Sequence, residues 1–350
     1  MKKDEVIYIN GKFLAQTITG VQRFALENLK SINNLEYDFV VLVPSNAVIP
    51  DWLDEKKVKV ISGFKGVMWE QLTLPIFLAI KAKSNILLNL CNTAPLLYGN
   101  NIVTVHDVAF FRNPSWFSKR FAMFYNFMIP RIIGNSLHVF TVSEFVKNEL
   151  IDLYKTENNK ISVIYNAVSD AFVNKNLPRN DSFCLVVGSI EPRKNLKLVL
   201  DYFAQRQNEK LLIVGKKSKI FSSIEINEEL LSNVKFTGYV SDEELVELYN
   251  KAKVFIFPSL YEGFGIPLIE AQSCGCPVIS SSNSVMPEVL RDSAIFFDPS
   301  DYNDFSAKMD YLFSKPKELS HLSELGEINV KRFDWNKSSK KIIYIINGLS

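Results

Sequence analysis

The chain has 350 residues, 47% of them hydrophobic and 22% charged, and a formal net charge of +2. That composition describes a globular protein rather than a disordered one, and the length suits two domains of ~150–200 residues each. So small a charge gives no footing for nucleic-acid binding, and no apolar run reaches the ~20 residues needed to span a bilayer.

The charge is unevenly spread. Residues 1–167 hold 18 Lys plus Arg against 14 Asp plus Glu, and residues 168–350 hold 22 against 24, so the first half is the better candidate for an anionic partner. The four cysteines sit mostly in apolar surroundings, and Met1–Glu5 runs straight into the strand-like VIYIN with no signal peptide. A reduced, cytoplasmic protein is expected.

The first half alternates short apolar runs with helical segments. Val6–Ile9 is the first predicted strand, and Thr19-Gly20-Val21-Gln22-Arg23 leads into a helix, which is the first βα unit of a doubly wound sheet. A phosphate could approach Gly20, or the loop is a plain helix cap. Further strands are predicted at Phe39–Val43, Val58–Ile61, Ile86–Asn89, Ile102–Val105, Val139–Val142 and Ile161–Tyr165, and the alternation implies a parallel sheet. Trp69-Glu70-Gln71 stands out, but its chemistry does not follow from the sequence. His106 ends the Ile102–Val105 run, and ligands of open α/β sheets bind beyond the carboxyl ends of strands. Asp107 beside it reads as a loop or cap residue.

Between Val108 and Ser143 there is no acidic residue, while Arg112, Lys119, Arg120 and Arg131 are interleaved with aromatics. Two readings of 112–134 stand: a basic, aromatic surface lying on an anionic membrane, or a core helix with a basic edge. Ser143 is a fitting N-cap for the helix that follows. The polar stretch Ser169–Ser182 reads as an interdomain linker.

The second half restarts the pattern. Strands are predicted at Phe183–Val187, Leu211–Val214, Val234–Thr237 and Val254–Phe257, and Ser241 with Glu244 forms a capping box. Arg193 and Lys194 precede a helix, where the dipole disfavours cations; a diphosphate would suit them, with Arg gripping it bidentately and Lys adding a point charge. The decisive stretch follows Phe257. Glu262, Gly263, Phe264 and Gly265 form a turn, Ile266 and Pro267 open a helix, and Glu270 lies about one turn in. Helix N-termini after glycine turns offer backbone N–H groups to phosphate, and an acidic side chain can accept hydrogen bonds from ribose hydroxyls. The plainer alternative is an ordinary glycine loop with two glutamates. Cys274-Gly-Cys276 has no partner pair and reads as buried rather than metal-binding.

Taken together, E-G-F-G-I-P-L-I-E (262–270) with Ala271, Gly275, Pro277-Val278-Ile279 and Pro287-Glu288-Val289 resembles the donor-site signature of family 4 glycosyltransferases. The resemblance covers nearly the whole chain and is densest in the second half. It implies two facing Rossmann-like domains (the GT-B architecture): an acceptor-binding domain over 1–168, a nucleotide-sugar domain over 169–332, and a closing helix, 333–350, crossing back to the first. It further implies a retaining, metal-independent transfer. In the family, Glu270 holds the ribose, Glu262 and the amides of 263–267 lie near sugar and diphosphate, and Tyr239-Val240 receives the nucleobase through its backbone. The glycine loop at Gly20 closes over the diphosphate, His106 hydrogen-bonds a sugar hydroxyl, and Arg193 and Lys194 stabilise the leaving group. Many members carry a further arginine where this chain has Ser189. No Asp-x-Asp motif occurs, so no metal and no other cofactor is expected.

The function so implied is transfer of a hexose or deoxyhexose, mannose or rhamnose favoured, to a lipid-linked saccharide at the inner membrane face, in O-antigen, capsule or exopolysaccharide synthesis. A sugar-nucleotide epimerase of similar architecture and a non-catalytic sugar-nucleotide-binding protein are the alternatives. A nicotinamide dehydrogenase is disfavoured because no G-x-G-x-x-G follows the first strand.

Overall fold

The structure, a computed structural model, describes residues 6–81, 85–179, 183–215 and 232–349. Met1–Glu5 and the last three residues of the expected linker therefore lie outside the described residues. The chain divides into two compact units, one comprising residues up to Asn166 together with Asp334 onward, the other Ala167–Phe333.

The first unit is built on seven strands: β1 (Ile7–Asn10), β2 (Phe39–Val43), β3 (Val58–Val60), β4 (Leu87–Asn89), β5 (Asn101–Val105), β6 (His138–Thr141) and β7 (Ile161–Val163). Their order is β3-β2-β1-β4-β5-β6-β7, and every pairing is parallel. β4, β5 and β6 are buried along their whole length, as strands covered on both faces require, and their sequences are mostly apolar, with Asn89, Asn101, Thr104, His138 and Thr141 as buried polar exceptions. β7 is shorter than the apolar run suggests, because the Tyr165 carbonyl leaves the ladder and accepts from Ser338 Oγ at 2.7 Å.

That serine belongs to the helix Trp335–Leu349, which lies along the helix Gly20–Asn34. Polar pairs cross the seam beside apolar contacts such as Phe24 on Trp335: Ser31 Oγ donates to Asn336 Oδ1 at 2.9 Å and Ser339 Oγ to Asn28 Oδ1 at 3.2 Å. Buried hydroxyls and amides paired in this way fix register where apolar contacts alone would let the helices slide.

The second unit carries six strands, β8 (Cys184–Val187), β9 (Leu211–Val214), β10 (Val234–Gly238), β11 (Val254–Phe257), β12 (Val278–Ser281) and β13 (Ile295–Phe297), in the order β10-β9-β8-β11-β12-β13. All are parallel. Both sheets are thus open and doubly wound, and each reverses strand order once: between β1 and β4 in the first, between β8 and β11 in the second. At such a reversal the flanking helices diverge and leave a crevice beyond the carboxyl ends of the strands.

The stretch expected as a linker is, over its described part, bound to the second unit. Phe172 is buried against Tyr249, and Lys175 N–H donates to Asn250 Oδ1 at 2.6 Å. Arg179 NH2 donates to the carbonyls of Cys274 and Gly275, and NH1 to those of Tyr249 and Ala252. The guanidinium thereby satisfies carbonyls at the ends of the helices Asp242–Lys251 and Ile266–Ser273, where the dipoles are negative. Arg179 thus spends its donors on helix ends, while Asp170, Lys175 and Asn176 stay exposed.

Candidate active site

In the second unit the strand reversal gathers the predicted cations and one predicted carboxylate. β8 runs into Gly188, and the neighbouring strand end closes tightly on it: a Cβ on Gly215 would stand 1.9 Å from the Gly188 carbonyl oxygen. The chain then makes a 3-10 turn over Pro192–Lys194, passes Asn195 in the left-handed region, and begins the helix Leu196–Ala204. Arg193 and Lys194 therefore precede the helix rather than occupy its first turn, and the dipole penalty foreseen for them is reduced by that turn.

Both cations meet Glu262. Lys194 Nζ lies 2.5 Å from Glu262 Oε1 and Arg193 NH1 2.9 Å from Oε2, while Arg193 NH2 reaches Glu191 Oε1 at 2.9 Å. Glu191 in turn accepts from Ser189 Oγ at 2.5 Å. Burial pushes the Glu262 carboxyl up, but the charges of Lys194 and Arg193 outweigh it and hold the group below its ordinary range. For Lys194 burial is the larger influence, lowering it against the attraction of Glu262. A carboxylate straddled by two cations occupies the kind of position a phosphate oxygen would take.

The Glu262 turn is itself held. Ser284 Oγ accepts from the Glu262 N–H and donates to the Glu262 carbonyl, both at 2.9 Å. Sequence reasoning missed this serine; its sole signal was a run of serines (280–282, 284) at the end of β12 and just beyond it. Gly265 caps the following helix with φ +84°, and a Cβ there would meet Leu268 Cδ1 at 2.9 Å. Glycine is needed on both counts. The helix offers fewer amides than the motif alone suggests, since Pro267 has none and the Leu268 N–H is bonded to the Gly265 carbonyl at 2.9 Å.

Glu270, on Ile266–Ser273, is buried, and its Oε2 lies 3.4 Å from the Tyr249 hydroxyl. Burial, reinforced by the Glu270 charge, raises the Tyr249 phenol well above its ordinary value, so it remains a hydrogen-bond donor. Tyr239, following β10, is 88% exposed, and Val240 is beside it. Cys274 and Cys276 are free and buried, their thiols pushed up to about 12 by burial. Among the described residues no group of three or more His, Cys, Asp or Glu could hold a metal ion.

In the first unit His106 follows β5 directly. Its N–H donates to Asn92 Oδ1 at 2.8 Å and its ring Nε2 is 3.0 Å from the Leu90 carbonyl. A carbonyl can only accept, so Nε2 carries the proton and Nδ1 keeps the lone pair. Burial lowers the ring to about 4, and the neutral form prevails at neutral pH. Phe24, on the helix that begins at Gly20, packs edge-on to the imidazole at 4.9 Å. At the start of that helix Gln22 Oε1 accepts the Thr19 N–H at 3.2 Å, and Asp107 Oδ1 accepts the Ala109 N–H at 3.1 Å as a local turn. The basic stretch becomes Ala109–Arg112 and Lys119–Asn135. The longer helix buries Met128, Ile129, Ile132 and Ile133 but leaves Phe121, Met123 and Phe127 exposed, so it has both a core face and an apolar outer face.

Residues 168–328 match the group 1 glycosyl transferases and residues 89–172 match glycosyltransferase family 4. The O-antigen chain mannosyltransferase RfbU of Salmonella typhimurium is 31% identical over 256 residues, which are 72% of this chain and 70% of that protein. The chain belongs to the family 4 glycosyltransferases. Another relative, the O-antigen chain mannosyltransferase B of Escherichia coli, is 27% identical over 69% of this chain and 68% of its own length. The fold of this glycosyltransferase is shared by the sucrose-phosphate synthase of Thermosynechococcus elongatus, at a TM-score of 0.77 and 17% identity over 99% of both chains. Family membership places the GT-B architecture and a glycosyl-transfer reaction on firm ground, and it leaves the epimerase and non-catalytic alternatives without support.

Proposed function

We propose that this glycosyltransferase moves mannose from a nucleotide diphosphate sugar to a lipid-linked saccharide during assembly of a surface polysaccharide, with retention at the anomeric carbon and without a metal ion. The Lys194–Arg193–Glu262 cluster, at the strand reversal of the second sheet, carries the reading. On donor binding the diphosphate takes the two cations from Glu262. Their charge then meets the negative charge developing on the leaving group, the task a divalent ion performs elsewhere. Glu270 would accept from the ribose hydroxyls, with Tyr249 fixing its carboxylate, and the backbone near Tyr239 and Val240 would receive the base. His106, neutral and with Nδ1 as acceptor, would take a hydrogen bond from a sugar hydroxyl, and the loop at Gly20 would approach the phosphates. The similarity to two O-antigen mannosyltransferases supports mannose over rhamnose.

Contact with an anionic membrane is part of the same proposal. Phe121, Met123 and Phe127 are exposed on a helix that carries Lys119, Arg120 and Arg131 and no carboxylate. Met68, Leu72, Ile76 and Ile80 form a second exposed apolar stripe, at four-residue spacing, on the segment 66–81 of the same unit. Among the described residues no helix is long and apolar enough to cross a membrane.

The test is a panel of nucleotide sugars scored first by thermal stabilisation and then by transfer to a lipid-linked acceptor, with and without chelator. The expected result is selective stabilisation by one mannose nucleotide, followed by transfer that chelator leaves intact. Activity abolished by chelator and restored by manganese would overturn the metal-free mechanism, and selectivity for another sugar would overturn mannose.

A further inference from the structure

The first sheet reverses its strand order between β1 and β4, and beyond those strand ends lies a buried ion pair to which the mechanism so far gives no part. Lys12 Nζ is 2.7 Å from Glu70 Oε2. Both residues are buried, and burying two charges is costly unless their mutual geometry and further hydrogen bonds satisfy both groups. Asn10 Nδ2 donates to Glu70 Oε1 and to Asn89 Oδ1, each at 2.9 Å, and Lys12 Nζ also donates to Thr93 Oγ1 at 2.9 Å.

The pair is reached by a local departure from helix geometry. Trp69–Thr73 forms a π turn between Gly66–Met68 and Leu74–Lys81, anchored by Trp69 Nε1 on the Ile61 carbonyl at 2.9 Å. π turns inside helices cluster at functional positions. Here the wider turn aims two consecutive side chains at one loop. Glu70 holds its start through Asn10 and Lys12, while Gln71 donates to the Ala94 carbonyl at 2.9 Å and accepts the Leu96 N–H at 3.1 Å.

That loop is the one that orients His106. Its Leu90 carbonyl takes the ring Nε2–H, and its Asn92 side chain takes the His106 backbone N–H. Between Asn89 and Thr93, both tied to the ion pair, lie the two groups that set the imidazole. We propose that Lys12 and Glu70 are positioning residues for His106: by fixing residues 89–93 they keep its ring in one orientation and one tautomer, with Nδ1 turned into an obligate acceptor. The inference rests on the role proposed above for His106, and it explains why the Trp-Glu-Gln stretch stands in a sequence with no chemistry of its own.

The test uses the full chain labelled with 15N-histidine, in which only three histidines contribute signals. The ring nitrogen shifts of His106 report its tautomer directly. In the wild type a single Nε2–H form is expected. In Glu70→Gln and Lys12→Met the ring should populate both tautomers, and kcat should fall at least about tenfold while the donor KM stays within about twofold, the pattern of a misplaced group rather than a lost binding contact. Thr93→Val, which takes only one hydrogen bond from Lys12, should show the same changes to a smaller degree, and it carries the test if the charge variants do not fold. An unchanged His106 signature in the folded variants would overturn the proposal whatever their activity. A disturbed signature beside a fully active His106→Ala would uphold the positioning and remove the role proposed for His106, so the two ideas fail separately.

Discussion

Replacing Lys194 by Met keeps an unbranched apolar stem of similar length and removes the ammonium, and with it the ion pair to Glu262 and the contact of Nζ with the Phe257 ring at 5.2 Å from the centroid. Two unit charges at the 2.5 Å of the Lys194–Glu262 contact attract by roughly 7 kcal/mol at an effective dielectric constant of about 20. Desolvation of two buried groups offsets much of this. Arg193 remains 2.9 Å from Glu262, so the net loss is expected near the lower end for a broken buried pair, about 3 kcal/mol. The sign with pH is fixed by Glu262, whose folded carboxyl lies below its ordinary 4.5. Its contribution is full above that value and is lost as pH falls through the lower folded one, so the gap between wild type and variant should be constant at neutral pH and close in acid. Urea unfolding at several pH values measures it. Turnover should fall at least ~100-fold, the scale for losing a charged contact to a developing anion. Adding Glu262→Gln should restore most of the stability and none of the turnover. Near-normal turnover in Lys194→Met, or equal stability of the single and double variants, would refute the reasoning.

Three further expectations follow from the same geometry. Glu270→Ala should lower turnover by at least ~100-fold, and Tyr249→Phe, which removes a hydroxyl 3.4 Å away, should raise the donor KM only a few-fold; steady-state kinetics with the preferred donor decide, and equal effects of the two would contradict the ranking. Gly265→Ala forces a side chain into φ +84° and against Leu268, and thermal denaturation should show a loss of at least about 1–2 kcal/mol; an unchanged midpoint would mean the turn relaxes freely. His106, lowered to about 4 from 6.5 by burial, contributes stability that is full above pH 6.5 and lost as pH falls toward 4; at pH 5 about 2 kcal/mol of it should be gone, and His106→Gln should unfold with a correspondingly flatter dependence on pH between 7 and 5.

Much of the site was legible because its residues are contiguous. Glu262 to Glu270 lie within one turn and one helix, and Gly263 and Gly265 with Pro267 two residues on mark that turn in the sequence. The partners that hold it were not legible. Ser284 reaches Glu262 across 22 residues and Tyr249 reaches Glu270 across 21, with nothing local to mark either as a neighbour; Arg193 was marked as a phosphate ligand, but its pairing with Glu262 across 69 residues was not. Ser169–Arg179 misled for the same reason in reverse. Arg179 looks solvated until the helix ends whose carbonyls it satisfies are brought alongside.

The amino-acid order by itself marked most of the strands, because buried strands such as β5, β6 and β11 carry apolar cores at least two residues long, but it did not mark β12 or β13. It also fixed the alternation that makes the sheets parallel, and the turn that seats Glu262. Tertiary structure alone decided strand order, and with it the two reversals where Lys12 meets Glu70 and Lys194 meets Glu262. A side chain's charge is local, but its ionisation and its aim depend on what the fold sets within a few ångströms, and those neighbours come from strands far apart in the chain.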